Sequence, residues 1–275
     1  MPLLNQEPFV LREQNYLTVE PFEQLENSLI VGFSTRKSGF SVNPYASLNL
    51  GLHVADDHNK VIENRRKLAD DIDMPLSSWV FSEQVHGNTI KKITKSDSGL
   101  GTLDNSEAIK GTDGLYTKEK NILLASLYAD CVPLYFFSPT YNMVGLAHAG
   151  WKGTVSLIGP NMIRSWAEGE GIPVQSIYVA IGPSISQSNY EVDKYVLDKV
   201  KKVIVNSKKL PYKEIKNNKY LLDLKLLNKQ LLIEAGVLEE HIFVSNYCTF
   251  NESDMFFSYR REERTGRMMS FIGMK

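Results

Sequence analysis

Residues 124–154 read LASLYADCVPLYFFSPTYNMVGLAHAGWKGT. Leu124 to Tyr128 is apolar on both alternating faces, so it predicts a strand covered on both sides rather than one open to water. Leu134 to Phe137 predicts a second buried strand, closed by a Ser138-Pro139-Thr140 turn, and Met143 to Ala147 predicts a third that returns beside it. Cys131 and His148 are 17 residues apart in sequence. Such a hairpin begins and ends at one sheet edge, so it brings them together. Two residues with metal-ligating side chains thus meet at one place.

A third such residue lies upstream. Trp79 to Val85 predicts a strand that ends at His86-Gly87, with Ile90 to Ile93 as its return. Around these, Leu29 to Ser34 predicts a strand that runs into a Gly-, Ser-, Asn- and Pro-rich loop over 35–45. Val61, Ile62, Leu68, Ala69 and Ile72 fall on one helical face, with Asp57 as N-cap and Met74-Pro75 as the stop. Lys60, Glu63, Arg65, Arg66 and Lys67 would form its solvated face. Residues 94–111 predict a flexible loop, and Asp113–Tyr116 with Asn121–Tyr128 a hairpin. A helical pattern runs from Gly153 to Trp166, with a kink or a late helix start expected at Pro160. A strand at Ser176 to Ile181 follows, then helices on Val192, Val196 and Val200 and on Leu224, Leu227, Leu231 and Ala235. Lys201 to Lys219 reads as an exposed excursion. Strands at Ile242–Ser245, Met255–Ser258 and Met268–Ile272 close the chain. Strands alternating with helices, without repeats or linkers, give an α/β (α+β) fold: one domain over 1–275 with mixed sheets packed against flanking helices.

Bulk composition excludes several function classes. Hydrophobic residues at 43% and charged residues at 23% describe a globular chain with a core, not a disordered one. Lys+Arg 31 against Asp+Glu 32 leaves a net charge of -1, so no basic footprint calls for nucleic acid or an anionic membrane. A local basic pocket for a small anion remains open. Apolar runs fall short of the roughly 18–20 residues that span a bilayer. Met1 to Leu11, with Glu7 and no basic start before an apolar core, does not read as a secretion signal. Two cysteines allow one bridge at most, so reduced thiols in the cytoplasm are the expectation.

A catalytic zinc site keeps three protein ligands and one position for water. His86, Cys131 and His148 supply the thiolate and imidazole donors that zinc prefers, and zinc lowers the pKa of its water to about 7. Spacing alone leaves the alternatives open: Cys131 as a small core thiol, and His86 and His148 as strand-end histidines bonded to backbone. His53, His58 and His241 lack the Gly-flanked strand-end setting and read as structural. Arg36 and Lys37 at a strand end could bind an anion or be a solvated pair.

Gln84-Val85-His86-Gly87, Ala129-Asp130-Cys131 and His148-Ala149-Gly150-Trp151-Lys152-Gly153-Thr154 resemble the signature of the YfiH/LACC family of multi-copper polyphenol oxidases, now regarded as purine nucleoside phosphorylases. The resemblance extends to Ser34-Thr35-Arg36, Pro44 to Gly51, Ile181-Gly182-Pro183, Tyr190-Glu191-Val192, Phe257 to Glu262 and Thr265-Gly266-Arg267. It implies a zinc site, with copper as the other metal, on His86, Cys131 and His148. It implies phosphate binding by Arg36 and Lys152. It further implies purine nucleosides and phosphate as partners: phosphorolysis of adenosine, inosine and methylthioadenosine, and deamination of adenosine, in one pocket. Ser38 stands where the family's Thr-Arg-x-Gly-Gly-x-Ser loop has its first glycine. For deamination a proton carrier is needed, and Asp130 is the acidic neighbour of the ligands. Trp151, Phe40 and Tyr190 are aromatic residues on which a base could stack. Three rivals stand beside this reading. The first is a copper polyphenol oxidase, for which five histidines are too few to build a trinuclear cluster as well. The second is a hydrolase or amidase with a Cys131 nucleophile acting on peptidoglycan precursors, and the third a non-catalytic zinc module.

Overall fold

A computed structural model describes residues 6–204 and 209–275. Residues 1–5, part of the segment read as lacking a secretion signal, and 205–208, part of the expected excursion, lie outside them. In chain order come β1 (Phe9–Arg12), β2 (Tyr16–Val19), α1 (Glu20–Glu23), β3 (Leu29–Ser34), α2 (His58–Asp71), β4 (Trp79–Phe81), β5 (Ile90–Lys92), β6 (Gly114–Thr117) and β7 (Ile122–Tyr128). Then follow β8 (Val132–Ser138), β9 (Met143–Ala149), α3 (Trp151–Val155), α4 (Ile158–Arg164), β10 (Tyr178–Ile181), β11 (Glu191–Val192), α5 (Lys194–Val203), β12 (Tyr212–Ile215), β13 (Lys219–Leu222), α6 (Leu224–Glu234), β14 (Ile242–Val244) and β15 (Met268–Met274). The fold is mixed α and β, as expected.

Two six-stranded mixed sheets carry the structure. One has the order β1-β2-β3-β15-β7-β4 and the other β14-β10-β8-β9-β6-β5, while β11-β13-β12 form a small third sheet. The two large sheets face each other across one core: Val31, Phe33, Leu124 and Ile272 of the first meet Tyr135, Phe137, Val144 and Leu146 of the second. On the outside of the first sheet, Leu68, Ala69 and Ile72 of α2 and its C-terminal turn cover Leu123, Ala125 and Phe271. On the outside of the second, Met162, Ile163, Leu227 and Leu231 of α4 and α6 cover Leu134, Phe136 and Ala147. Every residue of β7, β8, β9 and β15 is therefore buried, which explains their unbroken apolar runs. Among the described residues no helix is long and apolar enough to cross a membrane.

The β8–β9 hairpin matches the reading of 124–154: Val132 faces Ala149 and Pro133 faces His148. Asp57 caps α2 as expected, its carboxylate accepting from the Asn59 and Lys60 amides. Several expectations are corrected. β4 stops at Phe81, so His86 sits on a turn five residues later, with φ 59. β5 does not return beside β4; it lies in the other sheet, parallel to β6. β6 and β7 are not a hairpin, since they lie in opposite sheets. Residues 94–111 are not simply a loose loop: Thr102, Ala108 and Ile109 are buried. At Pro160 the late start holds rather than the kink: the helix after His148 breaks at Leu157, whose φ of 64 is left-handed, and Pro160 sits in the first turn of α4, where its missing N–H is not needed. The expected excursion over 201–219 begins within α5 and includes β12 and the turn into β13, and Met255–Ser258 is not a strand. Arg65 is not solvated but 1% exposed, its guanidinium donating to the carbonyls of Leu50, Gly101 and Thr102 and lying over the Phe81 ring.

Candidate metal centre and its cavity

The chain leaves the first sheet at Tyr128, crosses through Ala129 and Asp130, and enters the second sheet at Val132, so Cys131 lies where the sheets join. His148, the penultimate residue of β9, is held there by register opposite Pro133. His86 arrives on the turn after β4. The ligating atoms of His86, Cys131 and His148 all lie within 4.8 Å of one another. Among the described residues they are the one cluster of three or more His, Cys, Asp or Glu with that closeness. The two imidazoles meet edge to face at 4.8 Å, and the Tyr128 ring supports His148 at 5.4 Å.

Asp113, fully buried at the start of β6, organises two of the three. Its Oδ1 accepts from the His86 amide at 3.0 Å and pairs with His148 Nδ1 at 2.9 Å. Its Oδ2 accepts from the amides of Gly87 at 2.8 Å and Val85 at 3.1 Å. The His86 turn is thus folded around one carboxylate, and His148 is left with Nε2 as its free nitrogen. Burial opposes the charge on Asp113, but His148 and the Gly87 and Val85 amides hold its carboxyl below the ordinary value. Gln84 extends the sheet where β4 ends, its side-chain amide bonding both N–H and C=O of Leu127. Gly150 allows the crowding: a Cβ there would lie 3.0 Å from Cys131 Sγ and 3.1 Å from His86 Cδ2.

Charges in the cluster are mutually dependent. Burial resists ionisation of the Cys131 thiol, but His148 and then His86 pull it down to about 6. Burial likewise resists charge on His148, but the Cys131 thiolate and Asp113 push it up to about 9. One soft thiolate beside two imidazoles, one of them oriented by a carboxylate, is a donor set that fits zinc or copper.

A cavity of about 490 Å³ opens over the cluster, within the range of small-molecule sites. Its walls include His53, Ser82, Glu83, Asn105, Tyr259 and Arg267. Ser82 Oγ is buried without a hydrogen-bond partner. His53 is exposed at the mouth, yet the protein around its ring and then the Arg267, Arg65 and His148 cations push its pKa down to about 4. His53 thus lines the cavity, whereas His58 opens α2 and His241 stacks on Tyr178 at 3.9 Å.

The other expected site residues are placed elsewhere. Arg36 donates Nε and Nη2 to Ala46 O and Nη1 to Ser253 O, with Phe257 beneath it; it does not line the cavity. Ser38, in the glycine position of that loop, has φ 66. Lys152 lies in α3 with Nζ over the Trp151 ring at 5.8 Å, also off the cavity wall. Asp130 is 8% exposed; its Oδ1 accepts from Thr249 Oγ1 at 2.6 Å and its Oδ2 from the Arg260 amide at 2.7 Å. It ties the Cys131 turn to the segment that carries Tyr259. Trp151, Phe40 and Tyr190 do not line the cavity; Tyr259 does. Asp113, Tyr259 and Arg267 were given no role from sequence, although Gly51, two residues before His53, and the Thr265-Gly266-Arg267 motif were signals.

A family described as multi-copper polyphenol oxidoreductase laccase matches residues 30–275. "Purine nucleoside phosphorylase YlmD" of Bacillus subtilis is 46% identical over 272 residues, covering 98% of each chain. The protein of the same name from Geobacillus stearothermophilus is 48% identical over 247 residues, covering 90% of each. The crystal structure of YlmD from Geobacillus stearothermophilus superposes with a TM-score of 0.95 at 44% identity, covering 98% of this chain and all of that one. The chain therefore belongs to the multi-copper polyphenol oxidoreductase laccase family, as a YfiH/YlmD-like member.

Proposed function

We propose that the chain is a zinc-dependent purine nucleoside phosphorylase, cleaving adenosine, inosine and methylthioadenosine with phosphate, and that it also deaminates adenosine. The observation that carries this reading is the His86, Cys131 and His148 cluster at the floor of a nucleoside-sized cavity. The names of the relatives support the nucleoside as substrate. These three residues would hold the ion, with copper the alternative occupant, and the whole of 1–275 would act as one domain. Such an ion supplies a Lewis acid and a reactive water at neutral pH.

The chain's own groups do the rest. Asp113 holds the Nδ1 proton of His148 and so keeps Nε2 free. Tyr259 and Leu127 offer apolar surface to a purine, and Gln84 and Asn105 offer amides to its edge or to the ribose hydroxyls. Glu83 lines the cavity and Asp130 does not, so we assign proton transfer in deamination to Glu83, whose carboxylate must turn from the Gly111 amide and Lys110 to reach a substrate. A laccase reading takes support from the family description, but a single cluster of three ligands among the described residues favours the phosphorylase. The thiolate character of Cys131 favours, as a second reading, a cysteine hydrolase.

The test is incubation of metal-replete protein with adenosine, with and without phosphate, followed by product identification. Adenine with ribose 1-phosphate only when phosphate is present, and inosine in both cases, is expected. Neither product from metal-replete protein, or full activity after metal removal, overturns the proposal.

A further inference from the structure

We propose that Arg267, with His53 beside it, is the subsite that holds the attacking phosphate; this rests on the phosphorylase reading above. Among the described residues lining the cavity, Arg267 is the one Lys or Arg. Its guanidinium is committed on one side only: Nη1 donates to Thr265 O at 2.9 Å and Gly266 O at 3.0 Å. Nε and Nη2 donate to no described residue, and no described carboxylate pairs with them. A half-buried guanidinium without an anion is a costly arrangement unless a ligand completes it. The free Nε and Nη2 edge is the edge that binds two oxygens of a phosphate at once.

The position is built rather than incidental. The Arg267 amide donates to Asn49 Oδ1 at 2.9 Å, and its carbonyl accepts from the Leu50 amide at 3.1 Å. Asn49 is fully buried and also donates to Asp56. A Cβ on Gly51 would lie 2.8 Å from Arg267 Cγ and 3.4 Å from His53 Cε1, so the glycine is what lets the two side chains share this corner. His53 makes no hydrogen bond to the described residues and can donate a ring N–H to the same anion. Glu83, the carboxylate on the same cavity, is turned to the Gly111 amide at 3.3 Å and toward Lys110 at 3.9 Å. By contrast, Arg36 has all three nitrogens on carbonyls.

In the reaction, an oxygen of hydrogen phosphate held there forms a bond to C1′ as the C1′–N9 bond breaks. The bonding pair leaves with the purine, and the phosphate's proton balances the one the purine takes up. Equilibrium dialysis with radiolabelled inorganic phosphate tests the assignment without turnover. The native protein is expected to bind one phosphate per chain, Arg267→Gln roughly 30-fold more weakly, Arg267→Lys by an intermediate amount, and Arg36→Gln as the native protein does. Metal content and melting temperature of each variant report whether it is folded. Phosphate affinity unchanged in folded Arg267→Gln, or no phosphate bound by the native protein, overturns the subsite. Phosphate bound through Arg267 with no nucleoside cleaved leaves the subsite standing and removes the phosphorylase reading.

Discussion

Replacing Asp113 with Asn tests how the fold holds the metal centre. Four donors converge on two oxygens: the His86 amide and His148 Nδ1 on one, the Val85 and Gly87 amides on the other. An amide keeps one acceptor. If its oxygen faces His148, its NH2 confronts two turn amides. If it faces those amides, its NH2 meets His148 Nδ1 and favours the tautomer whose Nε2 carries the proton and cannot ligate. Each charge-assisted bond is worth about 1.5–3 kcal/mol, so two give a ceiling of about 3–6 kcal/mol, of which a relaxing turn recovers part. Loss of such an orienting partner weakens metal binding by about 10–100-fold, or about 1.4–2.7 kcal/mol. Competition with a chromophoric chelator measures the zinc affinity, and melting of the metal-free protein measures the folding component. A folded Asp113→Asn protein with zinc affinity within about twofold of native would refute this account of the turn.

Gly150→Ala places a methyl against Cys131 Sγ and His86 Cδ2; zinc per chain should fall while circular dichroism stays native, and full zinc content would contradict the crowding. Arg65→Leu leaves the buried carbonyls of Leu50, Gly101 and Thr102 without their donor, so unfolding should become easier by about 2–4 kcal/mol in denaturant titration. At pH 7 the metal-free pair lies above the Cys131 value of about 6 and below the His148 value of about 9. It is thiolate and imidazolium, so zinc should release on the order of one proton, and that from His148. Affinity should then rise with pH up to about 9; calorimetry in buffers of different ionisation enthalpy measures the release, and none at pH 7 would contradict the pairing.

The parts legible in the sequence were those set by local chemistry. Asp57 before an apolar 3.6-residue repeat marked α2, and the Ser138-Pro139-Thr140 turn between two apolar runs marked the β8–β9 hairpin, hence the meeting of Cys131 and His148. Sheet membership was not legible. Strands buried on both faces carry no alternation to say which side they pack, so β6 and β7 looked like a hairpin although they lie in opposite sheets. Asp113 escaped because its role is to accept amides 26–28 residues upstream, which no local pattern records. Arg65 escaped because a helix's polar face looks solvated until two loops close over it. Arg267 and His53 needed the fold of Gly51 against β15's entry to meet.

Zinc titrated into metal-free protein, with phosphate-dependent release of hypoxanthine from inosine followed at each addition, tests the central claim most directly. Activity is expected to climb from near zero and level off at one zinc per chain, and Cys131→Ser should stay flat. Full activity before any zinc is added, or none after saturation, would contradict it.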